Sequence, residues 1–130
     1  MSYVIDTHTL LWYVTNDKQL SSRVEKILDE AHHTVNSIIL LPSIVLMEAI
    51  DVLEKGKVSY QIDVFLNAIQ NGEQYELAPI TWEIIEAYRK IHTALEIHDR
   101  LIVATAMQSN ARILTKDANI SKLYQQLVVW

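Results

Sequence analysis

The chain has 130 residues, 50% of them hydrophobic and 21% charged, with a formal net charge of −5 and no cysteine. That length predicts one domain, 1–130, around a single core, and no apolar run approaches the roughly 20 residues of a membrane span. The missing thiols exclude disulfides and thiolate metal sites, and the acidic balance argues against a protein that grips nucleic acid chiefly through a basic surface. The first residues lack the basic start and small-residue cleavage pattern of a secretory signal, so the expectation is a cytoplasmic protein.

The first predicted strand, Tyr3–Ile5, runs into a predicted helix, Thr7–Val14, within "YVIDTHTLLWYV". Asp6 is the only Asp, Glu, Lys or Arg between Met1 and Asn16. An unpaired carboxylate in an apolar run is costly to bury and needs a compensating partner. A helix over Ser22–Ala31 and a strand over Val35–Ile38 follow. Pro42 then precedes a helical pattern, Ser43–Lys55, that Gly56 terminates. Further helices are expected over Tyr60–Gln70, closed by Gly72, and over Thr81–Thr93, after a strand at Glu76–Ile80. The last part reads as a helix Arg100–Ser109, a strand Arg112–Leu114, a helix Ala118–Gln125 and a strand Leu127–Val129. Short apolar strands alternating with helices predict an α/β fold, a three-layer α/β/α sandwich on a central parallel sheet of four or five strands. The helix-rich connection between the second and third strands is the segment expected to form a subdomain over one face.

Three aspartates stand at element boundaries. Asp6 and Asp117 each follow a strand, and Asp99 opens a helix that is apolar almost all round. Taken singly, each reads as an N-cap that accepts orphan backbone N–H groups. Taken together they point elsewhere, because open α/β sheets bind ligands at the carboxyl ends of their strands. Glu48 is a fourth candidate. On a helical projection Val45, Leu46, Ala49, Ile50 and Leu53 form the apolar stripe, and Glu48 falls at its margin. Two carboxylates about 4 Å apart repel by roughly 4 kcal/mol at an effective dielectric of 20. A shared cleft therefore needs protonation or a cation, and all-oxygen donors select Mg²⁺ or Mn²⁺. Ions of this kind favour phosphate as a further ligand, which points to phosphodiester hydrolysis. Setting the four acids aside leaves 12 against 11 bases, a nearly neutral remainder.

The order Asp6, Glu48, Asp99, Asp117 resembles the acidic signature of PIN-domain ribonucleases, especially toxins of the VapC type. "YVIDTHTLLWYV" is similar to that family's opening strand and helix, and "SIVLMEAIDVLEKGKV" to its Ser-x4-Glu helix with a Lys-Gly-Lys turn. "HDRLIVATAMQSNARILTKD" resembles its Asp-Arg helix and Thr-x-Asp strand end. The resemblance spans essentially the whole chain. It implies a metal-dependent endoribonuclease acting on RNA, the toxin of a toxin–antitoxin pair, with an antitoxin protein that blocks the cleft and with homodimerisation. It implies that Asp6, Asp99 and Asp117 ligate Mg²⁺ or Mn²⁺, and that Glu48 binds the ion or orients the attacking water. It places Thr115 as a hydroxyl supporting a carboxylate, and Ser43 as a helix N-cap with a secondary role. Asn119 stands where many members carry a further acid, which implies one firm ion, a second arriving with RNA. The alternative is a PIN-like module that binds RNA or protein without catalysis.

Other residues carry weaker signals. None of the five histidines shows the i, i+4 spacing of helical zinc sites, and only His98, beside Asp99, is expected near the cleft. Arg100 has two readings, a phosphate contact or a salt bridge that orients a neighbouring acid, and the second is preferred. Lys55, Lys57, Arg112 and Lys116 are the bases best placed to hold an RNA backbone, with surface solvation as their default. Trp12 and Tyr13 read as core packing, with base stacking or a subunit contact as the functional alternative. No Gly-rich phosphate loop or Gly-x-Ser-x-Gly elbow is present.

Overall fold

The computed structural model describes residues 1–130. Five strands form one parallel sheet: β1 (Ser2–Ile5), β2 (Ile38–Pro42), β3 (Tyr75–Ala78), β4 (Arg112–Leu114) and β5 (Val128–Val129), in the spatial order β3-β2-β1-β4-β5. β1 is central, with Tyr3 opposite both Ile39 and Arg112. Seven helices accompany it: α1 (Thr7–Val14), α2 (Ser22–His33), α3 (Ser43–Glu54), α4 (Ile62–Asn71), α5 (Trp82–Arg89), α6 (Ile97–Gln108) and α7 (Ala118–Leu123). A 3₁₀ turn, Gln125–Leu127, leads into β5. The α/β architecture and the parallel five-stranded sheet match the sequence expectation.

Parallel strands are covered on both faces, so their residues read as continuous apolar runs. Val4, Ile5, Ile39, Leu41, Ile113 and Leu114 are all buried. α6 is the most enclosed helix: Leu101 through Ala106 are buried without interruption, between the sheet and α5. The hydroxyl of Thr105 in that stretch donates to the carbonyl of Leu101 (2.8 Å), which satisfies it locally.

Strand order reverses at β1, whose neighbours β2 and β4 lie on opposite sides. A crevice forms at such a switch point, outside the carboxyl ends of the strands. α1, α3 and α7 leave that edge after β1, β2 and β4. α6 precedes a strand parallel to the others, so it begins at the same edge and returns the chain to the opposite one.

Several boundaries differ from expectation. The second strand occupies Ile38–Pro42, meeting the predicted Val35–Ile38 only at its last residue. Val35 is 90% exposed in a turn, whereas Ile39–Leu41 are buried, with Ile39 and Leu40 paired to β1 and Leu41 to β3. β2 passes directly into α3, so Pro42 ends the strand and occupies the helix cap position without a side-chain hydrogen bond. Ser43 is the first helical residue and not the N-cap. α5 ends at Arg89, short of Thr93, and α6 begins at Ile97, before Arg100. α7 ends at Leu123 and not Gln125.

Candidate functional site

Asp6 leaves β1 in an extended conformation and caps α1, its Oδ1 accepting the Thr9 N–H (2.9 Å). Its Oδ2 accepts a hydrogen bond from the hydroxyl of Thr115, which is fully buried past the end of β4. The same hydroxyl oxygen accepts the backbone N–H of Asp117 (3.0 Å). Asp117 caps α7 through Oδ1 and the Ile120 N–H (2.8 Å). One buried threonine thus ties together the two acids at the ends of β1 and β4. Capping holds for both aspartates, and it fixes their carboxylates at the sheet edge.

Glu48 projects from the second turn of α3, half-buried, and its Oε1 accepts from the Thr7 hydroxyl (3.3 Å). Thr7 is buried at the start of α1, so α1 positions two of the acids. Asp99 differs from the capping expectation. The cap of α6 is Glu96, whose Oε1 accepts the Asp99 N–H (3.1 Å), and the Asp99 carboxylate lies in the first turn beyond it. Burial first, then the charges of Asp117, Glu96, Asp6 and Glu48, push the Asp99 carboxyl from 3.8 up to about 6. His98 Nδ1 stands 3.3 Å from Glu96 Oε2 and 3.9 Å from Glu48 Oε2.

These residues line one cleft of about 540 Å³, which contains Asp6, Glu48, Asp99 and Asp117 together with Thr7, His8, Trp12, Gln19, Glu96, His98, Ile102 and Lys116. Four acids from four separated segments therefore share one opening, with Glu96 as a fifth that the sequence pattern did not single out. Its signal was its position three residues before Asp99, the spacing of a cap to the backbone N–H it receives. Lys116 is the only base of fixed charge in the lining. As the side chains stand, no three acids or histidines converge closely enough to grasp one ion.

Other expectations fall away. Ser43 does not line the cleft. Arg100 faces α5 and not an acid or a phosphate. Its Nη2 donates to the carbonyls of Tyr88 (3.1 Å) and Ile91 (3.4 Å), and its guanidinium lies 4.0 Å from the centre of the Tyr88 ring. The Tyr88 carbonyl also accepts the Ile91 N–H (3.0 Å), so Arg100 adds a second donor to it and gives the Ile91 carbonyl a side-chain donor where α5 ends, and a cation there also complements the helix dipole. Arg112 donates to Val128 O (3.2 Å) and joins β4 to β5. Lys55 pairs with Asp51 on the outer face of α3 (3.8 Å). The Tyr13 hydroxyl donates to Asp29 Oδ1 of α2 (2.8 Å), away from the cleft.

The model of the PIN domain family matches residues 3–126, and the chain belongs to that family. Among solved structures it is similar to a chain in VapBC2 from Rickettsia felis, solved bound to a DNA fragment from their promoter. The two are 19% identical with a TM-score of 0.75, over 99% of this chain and 98% of that one. At that identity the likeness is one of fold. No curated protein matches the sequence.

Proposed function

We propose that this chain is a divalent-metal-dependent endoribonuclease of the VapC type, the toxin half of a toxin–antitoxin pair. The observation that carries the proposal is the meeting of Asp6, Glu48, Asp99 and Asp117 in one cleft at the carboxyl edge of the sheet. Membership of the PIN domain family supports a nuclease. The presence of a structurally similar chain in a VapBC2 assembly supports an antitoxin partner.

The donor set fits a hard cation. Every charged donor is a carboxylate oxygen, and Asp99 is raised by burial first and then by the four neighbouring carboxylates. Asp6, Glu48, Asp99 and Asp117 would hold Mg²⁺ or Mn²⁺ after modest side-chain rotation or through water. When bound, such an ion supplies a Lewis acid for the phosphate and lowers the pKa of water at neutral pH.

The chain's own groups prepare the site. From a buried position Thr115 donates to the Asp6 carboxylate and accepts the backbone N–H of Asp117, and Thr7 donates to the Glu48 carboxylate. Glu48 keeps Oε2 free of the Thr7 bond and turned toward His98 Nδ1. In this reading that oxygen receives the proton as water attacks phosphorus, and the departing ribose oxygen leaves with the electron pair of its bond and takes a proton from solvent. Lys116 supplies local positive charge for the strand.

The direct test is cleavage of a labelled single-stranded RNA by the purified chain with Mn²⁺ or with EDTA. Cleavage in Mn²⁺ alone, abolished by Asp99→Asn, is expected. Undiminished Mn²⁺-dependent cleavage by Asp99→Asn overturns the assignment. No Mn²⁺-induced rise in melting temperature, combined with tight RNA binding in EDTA, points instead to a non-catalytic binding module.

A further inference from the structure

The acidic cleft has one aromatic wall. Trp12, on the last turn of α1, lines it together with His8 one turn earlier and Lys116 from the loop after β4. The Trp12 ring centre lies 5.9 Å from that of His8 and 6.0 Å from that of Trp130, which meets it edge-on. The Lys116 ammonium stands 6.0 Å from the Trp12 ring centre. Trp12 packs against the core and is held by two aromatic neighbours, yet it stays half-exposed where the cleft opens.

Three features separate this ring from a merely structural tryptophan. It borders the same space as Asp6 and Asp117. Its orientation is fixed by His8 and Trp130, so little side-chain freedom remains to be lost on contact. The single lysine of the lining stands next to it and immediately precedes Asp117 in the chain. A flat π-surface beside a cation, adjacent to a phosphate-seeking cluster, is the arrangement that receives an unstacked nucleotide, with its base on the ring and its phosphate on the ammonium.

We infer that Trp12 is the base-stacking platform of this cleft, holding one nucleobase of single-stranded RNA beside the phosphate engaged by the acids, with Lys116 on the adjoining phosphate. The identity of the ligand rests on the nuclease reading. A duplex keeps its bases stacked on one another and offers none to the ring, so the platform selects single-stranded segments. Because every base has a π-face, the contact positions the strand without reading its sequence.

The test measures anisotropy of a fluorescein-labelled single-stranded RNA of mixed sequence bound to Asp99→Asn, so that cleavage does not intervene. Adding Trp12→Leu, which keeps an apolar filler but no ring, is expected to weaken binding roughly 5- to 150-fold, the range of one base–aromatic stack. Trp12→Phe should retain most of the affinity. An RNA abasic at every position, which offers the ring no base in any register, should cost the Trp12 protein at least that same factor and should bind the Trp12 protein and Trp12→Leu equally. In the Asp99-containing chain, Trp12→Leu should keep the Mn²⁺-induced melting shift, which separates this contact from the metal site. Equal affinity with and without the Trp12→Leu substitution overturns the platform and leaves the ring to a protein contact. A loss on Trp12→Leu that persists with the abasic RNA also overturns it, as a packing effect. Failure of the Asp99→Asn chain to bind any RNA overturns this inference, whereas the nuclease reading is judged separately by Mn²⁺-dependent cleavage in the parent chain.

Discussion

Replacing Asp99 by Asn should stabilise the protein in the absence of metal, and the gain should depend on pH in a defined direction. The Asp99 carboxyl is raised from 3.8 to about 6 by burial and by its acidic neighbours. Below 3.8 it is protonated in both the folded and the unfolded chain, and the folded state carries no penalty. Between about 4 and about 6 the unfolded chain ionises while the folded protein keeps the proton, so stability falls as pH rises through that window and levels off above it. A displacement of this size corresponds to ~3 kcal/mol if fully felt. The side chain is partly solvated, and screening reduces that to about 1 kcal/mol. Asn keeps the shape and removes the charge, and no cap is lost, because the α6 cap is Glu96. In EDTA, the melting temperature of Asp99→Asn should equal that of the parent near pH 4 and exceed it by about 3 °C at pH 7.5. Saturating Mn²⁺ should reverse the order by stabilising the parent alone. A variant less stable than the parent at pH 7.5 in EDTA, or a gap that does not change with pH, refutes the reasoning.

Thr115→Val should cost about 2 kcal/mol in chemical denaturation, because it removes the hydroxyl that Asp6 and the Asp117 N–H both use. It should also shrink the Mn²⁺-induced melting shift, since both acids lose their tether. Arg100→Met should cost roughly 1–3 kcal/mol by stranding the Ile91 carbonyl and removing the second donor to the Tyr88 carbonyl, while RNA affinity by anisotropy stays unchanged. Arg100→Lys should recover little of the loss, since an ammonium does not reproduce a planar group stacked on Tyr88. Gly56→Ala should cost roughly 1 kcal/mol by urea denaturation: its φ of +68° is strained for a side chain, although the space around it is open.

The four acids were legible because each stands out against its own stretch of chain. Asp6 is the only formal charge in its first sixteen residues, and Asp117 follows a strand in the same way. Periodicity put Glu48 at the margin of the α3 stripe, and in the fold that margin borders the cleft. The second strand was not legible in the same way. A strand buried on both faces lacks alternation, and "SIILLP" enters α3 without a loop to mark the junction. Pro42 served as a helix signal and hid the fact that it also ends a strand.

A single boundary accounts for most of what the sequence concealed near the site. Ile84, Tyr88, Ile91 and Leu95 recur at helical spacing, and Ile84, Ile91 and Leu95 are buried, so the apolar pattern continues past the point where the backbone stops being helical. Lys90 ends α5, and the loop returns Ile91 and Leu95 to the core as single anchors. With the helix drawn through Thr93, Tyr88 sits a turn inside it and not at its end, and Arg100 is left seeking an acid or a phosphate. With α6 begun at Arg100, Asp99 becomes its cap and Glu96 a loop residue. Ending α5 at Arg89 changes all three assignments together: Arg100 closes the helix end, Glu96 takes the cap, and the Asp99 carboxylate is released from capping to face the other acids. The carboxylate whose titration is most displaced is the one that this boundary frees.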